Sequence, residues 1–281
     1  MINIKACAKI NLTLKITGVR EDGYHLIESV MQSIDLYDII EIDKDDILTV
    51  FSTDNTLGNE NDICYKAAVM FFEKSGIDGG AKITVTKNIP LSAGLGGGSA
   101  DAAAVILGLN KLYNEPLNLR DMLEIAQKLG ADIPYFFYGG TVLARGIGEI
   151  CEKIGDIPEC FIVLAKREQK KSTKYMYSVI DNCKEPICID TNPMLTAIDN
   201  GDLLKLAGNT GNAFSVAWDD NVTVDILNSF NPLCVSISGS GPTHFAIFND
   251  LNLANKCLER LKSAKIDAFI SKPTKKAIIF E

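Results

Sequence analysis

The sequence predicts an α+β fold in which strands come first, helices pack on one side of them, and a second mixed unit follows residue 154. Three observations carry this. Apolar and polar residues alternate over residues 2–16 and again over 82–89, the period of half-buried strands. Runs with helical spacing follow, each opened by a capping residue. Between the strand at 82–89 and an alanine-rich helix lies a glycine-dense stretch that packing alone would not choose.

Taken in order, Ile2, Ile4, Cys7, Ile10, Leu12, Leu14 and Ile16 define one or two strands around Ala8-Lys9-Ile10-Asn11, and residues 17–23 form a polar loop. Strands resume at 26–33, 38–42 and 48–51. Asn61-Asp62 caps a helix running to Gly76, with Ile63, Ala67, Met70 and Phe71 on one face. Ile83, Val85 and Ile89 then alternate with Lys82, Thr84, Thr86 and Asn88 in a strand that ends at Pro90. Beyond the glycines, Ser99 and Asp101 make the polar first turn of a buried helix. Asn118 caps the next helix, to Leu129, before the turn 130–134 and strands at 140–145 and 147–151.

The acidic, proline-containing stretch 155–159 marks a boundary between domains 1–154 and 155–281. Past it come an apolar strand at 161–165 and helices around 173–180, 195–207 and 222–230. Strands at 235–237 and 244–248 flank Ser238-Gly239-Ser240-Gly241-Pro242, and a helix at 251–264 precedes the apolar end 277–280.

Composition narrows the function classes. The chain has 281 residues, 47% of them hydrophobic, and a net charge of −8, which argues against a nucleic-acid partner. The short basic run Lys166-Arg167 with Lys170-Lys171 reads as a solvated loop. Eight cysteines are scattered without a Cys-x-x-Cys and far from His25 and His244, so they read as reduced cytosolic thiols rather than disulfides or metal ligands. No run approaches the ~20 apolar residues of a membrane span, and no signal peptide is evident. A cytoplasmic protein with no membrane partner is expected; neither a metal ligand nor an oligomeric state is assigned.

The stretch Pro90-Leu91-Ser92-Ala93-Gly94-Leu95-Gly96-Gly97-Gly98-Ser99-Ala100 carries the chemistry. Strand, glycine loop and helix start aim backbone N–H groups and a helix dipole at one point, which is an anion site and most often a phosphate site. The glycines are expected to supply positive φ or close approach of the main chain. Gly98 is followed by Ser99 and Ala100 with no lysine, so this is not a Walker A loop. Ser99 replaces the third glycine of a Rossmann loop, and Glu115, at the spacing of its acid, sits in a turn.

Four stretches occur together: Ala8-Lys9-Ile10-Asn11-Leu12, Gly23-Tyr24-His25, the glycine loop, and Gly130-Ala131-Asp132-Ile133-Pro134-Tyr135. With the turn 238–242 they resemble the GHMP kinase superfamily nearly end to end, most sharply in the first half of the chain. The resemblance implies a two-domain α+β kinase with its active site in the inter-domain cleft. It further implies transfer of the ATP γ-phosphate to a hydroxyl of a cytidyl-diphosphate polyol, with Mg²⁺, in isoprenoid precursor synthesis. On that basis residues 90–100 match the ATP-phosphate loop, Lys9 and Asp132 the catalytic pair, and Asn11, Tyr24 and His25 substrate positions. Thr173 and Tyr177 look like substrate contacts from the second domain, Tyr24 and Tyr177 being expected to sandwich the cytosine.

The chemistry agrees with this match. Phosphoryl transfer is helped by positioning and by positive charge around the moving group, which in an acidic chain must be local. Gly96 to Ser99 amides, Lys9 and a magnesium ion would supply it. Asp132 would accept or orient the hydroxyl proton, held ionised by Lys9. Alone, Lys9 would read as a solvated strand lysine, Asp132 as the cap of a turn before Pro134, and 238–242 as a hairpin turn. A non-catalytic nucleotide-binding regulator would be expected to lack Lys9 or Asp132, and Gly23-Tyr24-His25 favours a cytidyl substrate over homoserine or mevalonate. The chain departs from the superfamily pattern at Ala100, where a second serine is usual. It departs again around Asn212-Ala213-Phe214, where an acid usually follows the Asn, and at 167–171, usually proline-bearing.

Overall fold

A computed structural model of the protein describes residues 1–54, 60–167, 171–183 and 187–281. The apolar alternation at the start of the chain builds β1 (Ile2–Asn11) and β2 (Thr13–Val19), which pair antiparallel with β3 (His25–Asp45). Two expected strands, 26–33 and 38–42, are thus halves of one long strand. The link holds because β1 keeps pairing across it, Cys7 to Tyr37 and Lys9 to Ser33, with a bulge taking up the register shift. The polar loop shortens correspondingly, since β2 runs on to Val19.

β5 (Gly80–Thr86) and β6 (Thr141–Arg145) both pair with β3 on the edge opposite β1, β5 along residues 39–45 and β6 along 29–32, and β4 (Thr49–Ser52) and β7 (Ile150–Lys153) extend the sheet beyond them. Against it pack α1 (Ile63–Ser75), α2 (Gly97–Leu112), α3 (Leu119–Leu129) and a short α4 (Ile133–Tyr138). The expected caps form: Asp62 accepts from the Cys64 amide, Asn118 from Asp121, and Gly76 closes α1 at φ 66°. The turn expected at 130–134 passes at Ile133 into α4, whose six residues are too few to give a periodic signal.

A second sheet, ordered β10 (Cys234–Ile237), β11 (His244–Phe248), β8 (Phe161–Lys166), β12 (Asp267–Ser271), is antiparallel throughout. Around it lie α6 (Thr191–Asp199), α7 (Leu203–Gly208), α8 (Asn221–Asn228) and α9 (Leu251–Ser263), while α5 (Thr173–Asp181) packs through Met176 on Leu14 of β2 and on Phe214. The helix expected at 195–207 is two, broken where Gly201 turns at φ 61°. Two later strands return to the first sheet: β9 (Gly211–Asn212) pairs with β2, and β13 (Ile278–Phe280) with β1. A core cluster containing Ile10, Leu12, Ala93 and Leu95 also holds Ile162, Leu164 and Phe245, so the glycine loop's apolar residues are anchored between the two sheets.

Candidate active site

The glycine loop connects β5 to α2. Gly94 and Gly96 take the left-handed conformation, at φ 78° and 75°. A Cβ on Gly94 would fall 2.3 Å from the Ser238 carbonyl oxygen, and one on Gly96 would fall 2.8 Å from Phe136 Cζ and 3.0 Å from Lys9 Cγ. Both expected reasons for glycine therefore apply, but at these two positions only; Gly97 and Gly98 are already the first turn of α2. The first bond of the helix runs from the Ala100 amide to the Gly96 carbonyl, so the preceding amides of Gly97, Gly98 and Ser99 lack helical partners, as at any helix start. Ala100 is fully buried, its amide bonded to the Gly96 carbonyl, and it is not among the residues lining the cavity.

A cavity of about 290 Å³ opens in front of those amides. Residues Pro90 to Ser99 line it, joined by Lys9 from β1, Asp132 from the end of the α3–α4 connection, and Gly239 and Ser240 from the turn between β10 and β11. Four stretches far apart in sequence thus share one space.

Lys9 is 3% exposed, and its Nζ donates to Asn11 Oδ1 at 2.7 Å and stands 3.6 Å from Asp132 Oδ2. Its backbone amide donates to the Leu95 carbonyl, tying β1 to the loop. Asp132 occupies the N-cap position of α4 yet makes no side-chain capping bond, and its side chain is 41% exposed. Its carboxylate is therefore not engaged in holding the turn, the role it would have in isolation.

Asn11 is buried: Oδ1 also accepts from the Gly239 amide at 2.9 Å, and Nδ2 donates to Ser29 Oγ at 2.8 Å. It orients Lys9 and the 238–242 turn. Asn212, which the sequence did not single out as functional, holds the same turn by donating to the carbonyls of Ile237 and Gly239. Trp218 Nε1 donates to the Ser240 carbonyl, and Ser238 Oγ to that of Gly94, so the turn is pinned from both lobes. In the basic run near 166–171, Arg167 and Lys171 are exposed, Lys166 donates to the Leu91 carbonyl and Arg167 pairs with Asp220; Lys170 lies outside the described residues.

The other candidate substrate residues form a neighbouring group. His25 stacks on Tyr177 with centroids 4.2 Å apart and 17° between planes, and its Nε2 bonds Asp181 Oδ1 at 2.7 Å. Phe214 meets Tyr177 edge-on. The ring lying against Tyr177 is thus His25, whereas Tyr24 is exposed at the tip of the β2–β3 turn with the Arg20 guanidinium over its face. Burial, then the charge of Asp132, pushes the Tyr177 hydroxyl up to about 12. Thr173 is exposed in the first turn of α5, one helical turn before Tyr177.

The residues present fit a nucleotide triphosphate: unpaired helix-start amides, two backbone positions that a Cβ would fill, and a buried ammonium. For magnesium the test is the donor set. Among the described residues no group of three His, Cys, Asp or Glu side chains gathers to hold a metal, and the carboxylate on the cavity wall is that of Asp132. Such a set fits an ion carried in on phosphates and water, not one caged by protein.

Residues 62–140 match the GHMP kinases N terminal domain. The chain is 40% identical over 267 residues to 4-diphosphocytidyl-2-C-methyl-D-erythritol kinase of Caldicellulosiruptor saccharolyticus, covering 92% of each sequence. It superimposes on a crystal structure of 4-(cytidine 5'-diphospho)-2C-methyl-D-erythritol kinase with a TM-score of 0.80 at 28% identity, over 96% of this chain and 98% of that one. Homoserine kinase from Cytophaga hutchinsonii shares the fold, with a TM-score of 0.77 at 19% identity over 100% and 97% of the two chains.

Proposed function

The chain belongs to the 4-diphosphocytidyl-2-C-methyl-D-erythritol kinase family of GHMP kinases, and from that premise we propose the reaction carried by its cleft. The enzyme transfers the γ-phosphate of ATP to the 2-hydroxyl of 4-diphosphocytidyl-2-C-methyl-D-erythritol, giving the 2-phosphate and ADP, in the non-mevalonate route to isoprenoid precursors. The observation that carries this reading is the convergence of the glycine-loop amides, Lys9, Asp132 and the 238–242 turn on one cavity.

In this reading the amides of Gly97, Gly98 and Ser99 receive the nucleotide phosphates at the start of α2, and Gly239 and Ser240 close the site from the opposite side. Lys9, held by Asn11, places a positive charge where the transferring phosphoryl group accumulates negative charge. Asp132, free of capping duty, accepts or orients the hydroxyl proton of the acceptor. A magnesium ion bound with ATP would supply neutralisation of phosphate charge, and Asp132 would be the side chain to hold it alongside the phosphates. The cytidine end is read by His25, Tyr24 and Tyr177, with Thr173 beside them.

The lobes are taken as residues 1–154 and 155–281, a division supported by the second sheet lying wholly beyond residue 155, with β9 and β13 lent back to the first. A cytoplasmic setting is supported by buried free thiols at Cys7, Cys64, Cys160 and Cys257. Among the described residues no helix is long and apolar enough to cross a membrane.

The test is ADP release by purified protein with ATP and Mg²⁺ against 4-diphosphocytidyl-2-C-methyl-D-erythritol, homoserine and mevalonate. Turnover with the cytidyl polyol is expected. Turnover with homoserine or mevalonate alone would overturn the substrate assignment.

A further inference from the structure

At the neck of the glycine loop, Lys87 joins two carboxylates that the transfer chemistry leaves unused. Its Nζ is 2.5 Å from Asp101 Oδ2 and in direct contact with Asp38 Oδ2. The three side chains are closed off from water, at 7% exposure for Lys87, 4% for Asp101 and 0% for Asp38. Asp101 lies near the start of α2, and its Oδ1 is buried without a hydrogen-bond partner.

The connectivity matters more than the burial. Asp38 belongs to β3, in the middle of the first sheet, and its Oδ1 accepts the amides of Asn88 at 2.5 Å and Ile89 at 2.8 Å. That fixes the strand-side end of the loop. Lys87 extends the same hold to Asp101, on the helix side. Gly97, the first residue of α2, sits directly above: a Cβ there would be 3.0 Å from Ile89 Cγ2 and 3.4 Å from Asp38 Oδ2. The two ends of residues 88–100 are therefore fastened to one point of the sheet.

Burying three ionisable groups is a poor way to gain stability, because desolvation offsets most of the attraction and apolar residues of like size would serve as well. Such a cluster is better explained by geometric demand. We propose that Asp38, Lys87 and Asp101 are positioning residues that brace the two ends of the glycine loop against each other and so hold its amides in the arrangement that receives the ATP phosphates. The proposal rests on the kinase reading above. Lys87 lines the cavity, yet its ammonium is engaged by two carboxylates, so it acts through the loop and not as a phosphate ligand. Burial, with the Asp38 charge beside it, pushes the Asp101 carboxyl well above its ordinary range, which agrees with hydrogen bonding rather than charge being what Asp101 contributes.

The test uses the full chain. Asp101→Ala removes the helix-side anchor but leaves Lys87 and Asp38 as a charge-balanced pair, so the protein is expected to fold, checked by its melting transition. The KM for ATP should rise by about tenfold or more, while the KM for the cytidyl polyol stays within about twofold. In Asp101→Asn the amide oxygen can still accept from Lys87, and the KM for ATP should return to within about threefold of wild type. An ATP KM within about twofold of wild type in folded Asp101→Ala overturns the proposal, as does an equal loss in the Ala and Asn variants. If Asp101→Ala does not fold, Asp101→Asn decides alone: a small change upholds the brace and a large one overturns it. Wild-type protein that releases no ADP would instead remove the kinase reading, a separate outcome.

Discussion

The Nζ of Lys9 lies 2.7 Å from Asn11 Oδ1 and 3.6 Å from Asp132 Oδ2, so the buried ammonium is held by a neutral amide and meets the carboxylate only at long range. A tight ion pair would commit both charges to each other. This spacing leaves Lys9 able to answer charge on a phosphoryl group and Asp132 able to meet a hydroxyl.

Asp132→Asn should therefore lower kcat by about 10²-fold or more, roughly 2.7 kcal/mol, with ATP affinity little changed. Steady-state kinetics alongside calorimetric ATP titration would check it. Near-normal turnover in a folded variant would take Asp132 out of the chemistry.

The loop gives a second prediction, at Gly96. A side chain at Gly96 meets both a left-handed φ of 75° and the Lys9 stem. Gly96→Val should raise the KM for ATP and also depress kcat, each by about tenfold or more, because the loop and Lys9 are displaced together. An ATP affinity equal to wild type by calorimetry would show the loop to be structural only.

How much of this was legible in the sequence depends on whether the signal was local. The glycine loop, the caps at Asp62 and Asn118 and the paired strands are short-range patterns, and each is present. Lys9 and Asp132 could be nominated only through resemblance, since a lone lysine or aspartate has no local signature; the fold brings them to one cavity. The Lys87 brace left only a faint signal. Lys87 falls on the Ile83, Val85 and Ile89 phase of the alternation, where an apolar residue is due, and its reason for being there, Asp38 of β3, lies 49 residues away. Asn212 was noticed for the acid missing after it, not for its own amide, whose partners lie 25 and 27 residues downstream.

The stacking of His25 on Tyr177 bears on cytosine recognition. A base entering against Tyr177 must displace that imidazole or extend the stack from His25, while Tyr24 offers an exposed face from the first lobe. Each face should be worth about 1–3 kcal/mol, so Tyr24→Ala or Tyr177→Ala should raise the KM for the cytidyl substrate by roughly 5- to 150-fold without changing ATP affinity. The double variant should show coupling. A normal KM in Tyr177→Ala beside a raised one in Tyr24→Ala would misplace the second-lobe contact alone.

The last prediction concerns pH and His244, the first residue of β11 after the 238–242 turn. It is 7% exposed, its Nδ1 has no hydrogen-bond partner, and burial holds its pKa below the ordinary 6.5, an effect that nearby Asp220 offsets only in part. Asp220 is itself committed to Arg167, at 3.0 Å from its Oδ1. With the folded-state pKa depressed, the unfolded chain binds this proton more readily than the folded one. His244 thus favours the folded state fully above about pH 6.5 and loses that contribution as pH falls through the folded-state pKa. Stability measured by urea unfolding should drop between about pH 7.5 and about pH 5.5, and His244→Leu should make the drop shallower, since leucine fills a buried position without titrating. Parallel slopes in the two proteins would mean that His244 is protonated at little cost, and that the acid side of the stability profile belongs to other groups.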